Sequence, residues 1–251
     1  LLLAIHHLVI DGVSWRILLE DLGHAYARLR AGEPVVLPAK TGSVKDWALA
    51  LQAHAAAYGD EELAFWRPLT RASAELPCEH PEGANTQAER VSVELRLDRA
   101  RTHALLKKVP AAYRTQVNDV LLTALGRALC AWSGHERLLV MLEGHGREDL
   151  LPAGVDLSRT TGWFTSLFPV LLDPSGSPVD ALKRIKESLR NIPAKGLGHG
   201  ALKHLGSEAQ RQVLRALPSP QLVFNYLGQV DSGFDAQAPW RLADENPGAA
   251  I

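Results

Sequence analysis

Three groups of side chains in this sequence have the types and spacing to do chemistry. The first is His6, His7 and Asp11 in HHLVIDGVSW, residues 6–15. Two imidazoles and a carboxylate this close could bind a metal, move protons, or pack as ordinary core residues. A metal needs further ligands, and no HExxH or clustered His/Cys set stands nearby. An aspartate four residues after a histidine can instead orient an imidazole or brace the loop through an ion pair. Adjacent residues on an extended segment point to opposite sides, so one histidine faces a given cleft and the other is structural.

The second group is EGHGRED, 143–149. Glu143 follows five apolar residues, so its carboxylate is expected at a strand end, where partial desolvation raises a carboxyl pKa toward neutrality. Gly144 and Gly146 permit sharp turns or close approach to a ligand. His145 and Arg147 could orient or neutralise Glu143. The plainer alternative is a glycine-rich turn with a solvated Arg147–Glu148 pair. The third group is looser. PAKGLGHG (193–200) lacks the GK[ST] ending of a phosphate loop and reads as a flexible loop lining a channel, with Gly198 in it. FNYLGQ (224–229) carries Asn225 and Tyr226, whose ring is expected in the core with its hydroxyl seeking a partner. Trp163 and Phe164 are a packing pair, since no basic groove accompanies them.

The elements that must position these groups follow from periodicity. Residues 1–5 fit a buried strand, and Asp11-Gly12 is turn chemistry with Ser14 as a candidate N-cap. Leu18, Leu22, Ala25 and Leu29 make one helical face that ends at Gly32. A second helix is expected over 43–66, and 67–90, with Pro68, Pro77 and Pro81, reads as a linker. Val91, Val93, Leu95 and Leu97 alternate as a strand, and 98–109 reads as helical. An amphipathic helix is expected over 117–133, stopped by Gly134, with Val117, Val120, Leu121, Ala124, Leu125, Ala128, Leu129 and Trp132 as its apolar set. LLVML (138–142) is a buried strand, WFTSLFPVLL (163–172) and QLVFNYLG (221–228) are strand-like, and helices are expected over 178–190 and 207–216. Strands mixed with helices of these lengths indicate an α/β architecture.

Composition excludes several classes. The 27 basic and 28 acidic residues offer no bulk charge to attract nucleic acid or a membrane surface. No stretch reaches membrane-spanning length, and LLLAI lacks the features of a secretory signal. Cys78 and Cys130 show no zinc spacing, and such low usage fits a cytoplasmic protein. A buried-type strand at residue 1 and an unclosed ENPGAAI at 245–251 read as the ends of an internal fragment.

Taken in order, HHLVIDGVSW, EGHGRE (143–148), RTTGWFTSLFP (159–169), PAKGLGHG and FNYLGQ resemble the epimerization domains of nonribosomal peptide synthetases, members of the condensation-domain superfamily. HHxxxDG is common to the superfamily, whereas EGHGRE and FNYLGQ mark the epimerizing branch. The sequence departs from that branch at His199, where a tyrosine is usual. The resemblance implies an α/β, two-lobed, chloramphenicol-acetyltransferase-like fold with its active site in a tunnel between lobes. Residues 1–85 would end an incomplete N-terminal lobe, and 86–251 would form most of the C-terminal lobe.

It also implies the reaction: inversion, L to D, of the α-carbon of an aminoacyl or peptidyl thioester held on a carrier protein. Glu143 would be the acid/base group, His7 its opposing partner, and Tyr226 a supporting hydroxyl. Asp11 would brace the loop and His6 would face away, with Ser14, His145 and Arg147 supporting. Gly144, Trp163, Phe164, Gly198 and Asn225 would line the substrate channel. No metal and no directly bound cofactor is expected. The phosphopantetheine arm comes from a peptidyl carrier protein, in cis, and neighbouring synthetase domains are the remaining partners. A peptide-bond-forming condensation domain and a non-catalytic carrier-docking fragment are the alternatives.

Overall fold

The computed structural model describes residues 3–72, 75–148 and 154–228. Residues 1 and 2 of the expected first strand, Asp149, Gln229 of FNYLGQ and residues 245–251 lie outside these. The described residues divide into two compact units, one drawn from 1–54, 145–166 and 225–251, the other from 55–144 and 167–224.

In the first unit, residues 3–6 are irregular rather than a strand, and Leu3 and Ile5 are exposed. An apolar run becomes a strand only where a neighbour bonds to it, and none of the described residues does. A 3-10 turn, His7–Val9, leads into helix α1, Gly12–Arg30. The N-cap of α1 is Asp11, not Ser14: its carboxylate accepts the Ser14 backbone N–H, satisfying a donor of the open first turn. Ser14 and Ile17 are the buried residues of α1; Leu18, Leu22 and Ala25 are half-buried and Leu29 is exposed. Past its end, Gly32 takes a left-handed backbone, φ +71°. Helix α2 spans Val44–Trp66.

The second unit is built on a small sheet and its helices. After a 3-10 turn, Arg67–Arg71, the proline-bearing stretch is largely irregular, as expected. Residues 91–97, expected as a strand, are not one among the described residues, because no neighbouring strand bonds to them. Asp98 caps α3, Arg99–His103, which runs through a π turn, Ala104–Lys108, into α4, Val109–Tyr113. The Val109 N–H bonds back five residues to the Ala104 carbonyl, next to Pro110, which has no N–H to continue the regular ladder.

Helix α5, Val117–Ser133, ends at Gly134 with φ +76°, but its fully buried stripe is Asp119, Leu122, Thr123, Gly126 and Cys130. The large apolar residues expected to be buried lie half-buried or exposed, Trp132 among the latter. Gly126 on this inner face packs against its neighbours, where a Cβ would stand in ordinary contact, 3.5 Å from the side chains of both Leu172 and Pro174. Thr123 is buried at no polar cost, since its hydroxyl donates to the Asp119 carbonyl at 2.6 Å.

Strands β1, Leu138–Gly144, and β2, Ser166–Leu172, are neighbours. On the other side of β1 runs β3, Val223–Phe224, parallel to it, with Met141 opposite Val223 and Leu142 opposite Phe224. Helices α6, Pro178–Arg190, α7, Leu197–Leu205, and α8, Glu208–Arg215, complete the unit. Leu139, Val140, Leu172, Ile185 and Leu202 are almost wholly buried and form its core. The stretch expected as a flexible glycine-rich loop is a left-handed reversal at Ala194, Lys195 and Gly196 that starts α7. Leu197, Ala201 and Leu202 bury one face of α7, which outweighs the weak helix propensity of its glycines. No helix among the described residues is long and apolar enough to cross a membrane.

Candidate active site

The loop carrying the two histidines is held from beneath. The His6 Nδ1 accepts the Leu8 N–H at 3.1 Å, capping the 3-10 turn, so its ring is committed to the backbone. His7 lies on the turn itself, its ring centroid 5.4 Å from that of Trp163. Ile10 then enters the core, and Asp11 follows, buried.

Asp11 is the centre of a closed polar network. Its Oδ1 accepts the Ser14 N–H at 2.7 Å, and its two oxygens face Arg147 Nη2 at 3.0 and 3.2 Å. The Phe164 N–H donates to Oδ2 at 3.3 Å. The Ser14 hydroxyl, wholly buried, lies 2.7 Å from Asp11 Oδ1 and 2.9 Å from the Gly162 carbonyl, and it accepts from Arg147 Nη2 at 2.8 Å and the Gly162 N–H at 3.0 Å. One donor and two acceptor sites are thus all in use. Burial by itself pushes the Asp11 carboxyl up. The Ser14 N–H and hydroxyl and the Arg147 guanidinium outweigh that and hold its pKa below the ordinary carboxylate value.

Arg147 is held through its two terminal nitrogens, while its buried Nε has no hydrogen-bond partner among the described residues. Its Nη1 donates to the carbonyls of Leu157 at 2.9 Å and Thr160 at 2.6 Å, while its guanidinium carbon stands 4.2 Å from the centre of the Phe164 ring. Phe164 is buried between this cation and Trp47, whose ring centroid is 6.4 Å away. Arg147 therefore pairs with Asp11, 136 positions away. Glu148 stands 3.1 Å from His145 Nε2, and His145 Nδ1 accepts the Arg147 N–H at 3.1 Å. Gly146 is required here: it has φ +68°, and a Cβ would collide with the Phe164 carbonyl oxygen.

Three stretches far apart in sequence thus converge in one unit: HHLVIDGVSW, the GRE of EGHGRE, and RTTGWF. Sequence reasoning passed over Arg159, Thr160 and Gly162 in the last of these. Arg159 pairs with Glu20 at 3.0 Å and with Asp21; the Thr160 hydroxyl donates to the Gly42 carbonyl at 2.6 Å. A polar RTTG run directly before an aromatic pair was the available signal.

The remaining site residues are placed separately. Glu143 emerges near the end of β1 but is exposed, so the desolvation expected for it is not present. It belongs to the second unit, His7 to the first. Gly144 ends β1, half-buried. Tyr226 follows β3 in an irregular stretch and is 36% exposed, not a core ring, and Asn225 beside it is exposed. Gly198 is buried in α7, where a Cβ would strike the Glu62 carboxylate. His199 is also buried, its ring edge-on to Trp66 at 5.1 Å and its Nδ1 3.1 Å from the Leu167 carbonyl. Burial drives its pKa down to about 4, more than the carbonyl contact raises it. Among the described residues no three His, Cys, Asp or Glu side chains group as a metal site would.

A buried Asp–Arg lock beneath an HHxxxDG loop, on an α/β scaffold, defines a class that comparison with known proteins identifies. The condensation domain family matches residues 1–248, and the chain belongs to it. It is 45% identical over 255 residues to the chondramide synthase of Chondromyces crocatus, covering 99% of this chain and 6% of that synthase. It is 43% identical to gramicidin S synthase 1 of Brevibacillus brevis, over 92% of this chain and 22% of that protein. Among solved structures, the epimerization domain of the third module of tyrocidine synthetase B superposes with a TM-score of 0.79 at 40% identity. That match covers 91% of this chain and 53% of that one. The first condensation domain of the calcium-dependent antibiotic synthetase shares the fold, with a TM-score of 0.64 at 23% identity, over 81% of this chain and 47% of that one. The α/β, chloramphenicol-acetyltransferase-like fold is thereby shown. The chain spans about half the length of the solved epimerization domain and a small part of the curated synthetases it matches.

Proposed function

We propose that these residues form part of an epimerization domain, an isomerase that inverts the α-carbon of a carrier-bound aminoacyl or peptidyl thioester. The observation that carries the reading is the likeness to a solved epimerization domain along nearly the whole chain. The EGHGRE stretch at the end of β1 supports it. In this reading residues 1–85 close the N-terminal lobe and 86–251 supply most of the C-terminal lobe. The substrate hangs from the phosphopantetheine arm of a peptidyl carrier protein on the same cytoplasmic polypeptide, beside other synthetase domains.

The thioester carbonyl acidifies the α-proton. One of Glu143 and His7 removes it: the C–H bond breaks, and its electron pair moves onto the carbonyl oxygen as an enolate. The other returns a proton to the opposite face, and the C–H bond re-forms with inverted configuration. Tyr226 supplies a hydroxyl near the reacting carbon. Asp11, Ser14 and Arg147 touch no substrate; they hold the turn on which His7 sits. Trp163, its ring tilted at 54° beside that of His7, is a wall of the substrate channel.

The test is wash-in of deuterium. With its carrier loaded, the natural synthetase polypeptide in D2O should place deuterium at the α-carbon and release both configurations. Glu143→Gln should abolish exchange while leaving thermal unfolding unchanged. A wild-type protein that lengthens the peptide with no α-exchange would assign a peptide-bond-forming condensation domain instead.

A further inference from the structure

We infer that Trp163 is a positioning residue for His7, the ring that holds this imidazole in one orientation for proton transfer. An imidazole that moves protons is ordinarily oriented by a carboxylate or carbonyl on its second nitrogen. The polar groups nearest in sequence are already engaged. Asp11 accepts from Ser14, Phe164 and Arg147, and the His6 Nδ1 accepts the Leu8 N–H. Among the described residues the His7 ring makes no hydrogen bond, and its ring contact is with Trp163, the centroids 5.4 Å apart and the planes tilted by 54°. Both residues belong to the first unit. A partner that holds the ring by contact leaves both imidazole nitrogens available to exchange protons.

Trp163 can hold a neighbour because it is itself held from behind. Gly162 and Phe164 are buried and Trp163 between them is 50% exposed, the alternation of an extended segment. Gly162 meets the Ser14 hydroxyl with its N–H at 3.0 Å and its carbonyl at 2.9 Å, and the Phe164 N–H reaches Asp11 Oδ2 at 3.3 Å. The Phe164 ring, against Arg147 and Trp47, opposes rotation of the segment. Asp11 and Ser14 also begin α1, directly after the turn on which His7 sits and whose His7 carbonyl accepts the Ile10 N–H at 3.4 Å. One network therefore clamps the backbone on both sides of the ring pair and fixes its spacing. A histidine released from that contact regains about three staggered wells at its first torsion and about two at its second, which dilutes the productive orientation about sixfold.

Within the epimerase reading on which this rests, His7 removes the α-proton from one isomer and Glu143 from the other, so the two isomers report the two groups separately. The test loads the carrier of the natural synthetase polypeptide with either the L or the D thioester, deuterated at the α-carbon, and follows loss of the label to H2O. In Trp163→Ala one rate should fall about fivefold or more while the other stays within about twofold. Trp163→Phe keeps a ring at this place and should restore the ratio, whereas Trp163→Leu keeps apolar bulk alone and should not. That second pair of variants also decides the matter if the alanine variant fails to fold. Equal falls from both isomers, as a channel wall or a general loosening would give, overturn the inference. So do rates left intact in the alanine variant, or a leucine variant that matches the phenylalanine one. A wild-type protein that loses no label from either isomer overturns the epimerase reading itself, and the role of Trp163 with it.

Discussion

Replacing Arg147 with leucine tests the lock beneath the histidine loop. The guanidinium makes charge-assisted bonds to Asp11, belongs to a side chain only 7% exposed, and covers two backbone carbonyls. Removing one partner of a buried ion pair costs about 3–5 kcal/mol, because the other charge remains out of water. Two orphaned carbonyls add about 1 kcal/mol each where they stay dry. The retained Ser14 and Phe164 donors to Asp11 offset part of this, so about 4 kcal/mol is expected. Against a total stability of about 5–15 kcal/mol, that is a severe loss, readable as a fall in denaturation midpoint by circular dichroism. Adding Asp11→Asn to Arg147→Leu removes the stranded charge and should recover at least about 1 kcal/mol, a coupling that independent sites would not show. The pH dependence has a defined sign. Asp11 has a folded pKa below its unfolded value, so its contribution is present above about pH 4 and is lost as pH falls through the folded value. Arg147→Leu should flatten that acid limb. A loss under about 1 kcal/mol, or strictly additive single variants, would refute the reasoning.

Buried packing supplies two more tests. His199 has a folded pKa of about 4 against 6.5, so it adds stability above pH 6.5 that is lost as pH falls toward 4, on the order of 3 kcal/mol. In His199→Tyr, the difference between melts at about pH 7.5 and about pH 4.5 should shrink by that order; an unchanged difference would count against a buried neutral imidazole. Gly146→Ala meets both a positive φ and the Phe164 carbonyl, and should cost about 2 kcal/mol or more. Gly134→Ala, with open space at its Cβ, should cost about 1 kcal/mol by the same unfolding assay, and equal losses would show that the clash is absent.

Local periodicity made α1, α2, α5, α6, α8 and β1 legible, because a helix carries its own hydrogen bonds and a long apolar run declares burial. Residues 3–6 and 91–97 were not legible as they stand, because a strand exists only through partners that no window of sequence contains. The buried stripe of α5 was misplaced for a related reason: Gly126 lies inward against the side chains of Leu172 and Pro174, a placement set by packing rather than by hydrophobicity. For the site, an ion-pair brace at Asp11 was among the readings of its loop, but Arg147 as the partner was not. Adjacency in sequence points to Glu148, whereas the guanidinium bonds Asp11, 136 positions away. The exposure of Glu143 was likewise hidden, since five apolar residues before it say where the strand is buried and not where burial ends.

The Asp11–Arg147 bond joins residues 136 positions apart. A loop that long closes late in folding, so a growing chain holds an uncompensated carboxylate at the head of α1 until residue 147 and the carbonyls of 157 and 160 arrive. The same span sets a rule for recombination. A chimera whose crossover lies between residues 12 and 146 takes the two halves of this lock from different parents, and the RTTG backbone that seats the serine hydroxyl travels with only one of them. Exchanging 1–54 together with 145–166 keeps the lock whole; exchanging either alone places a foreign loop over it.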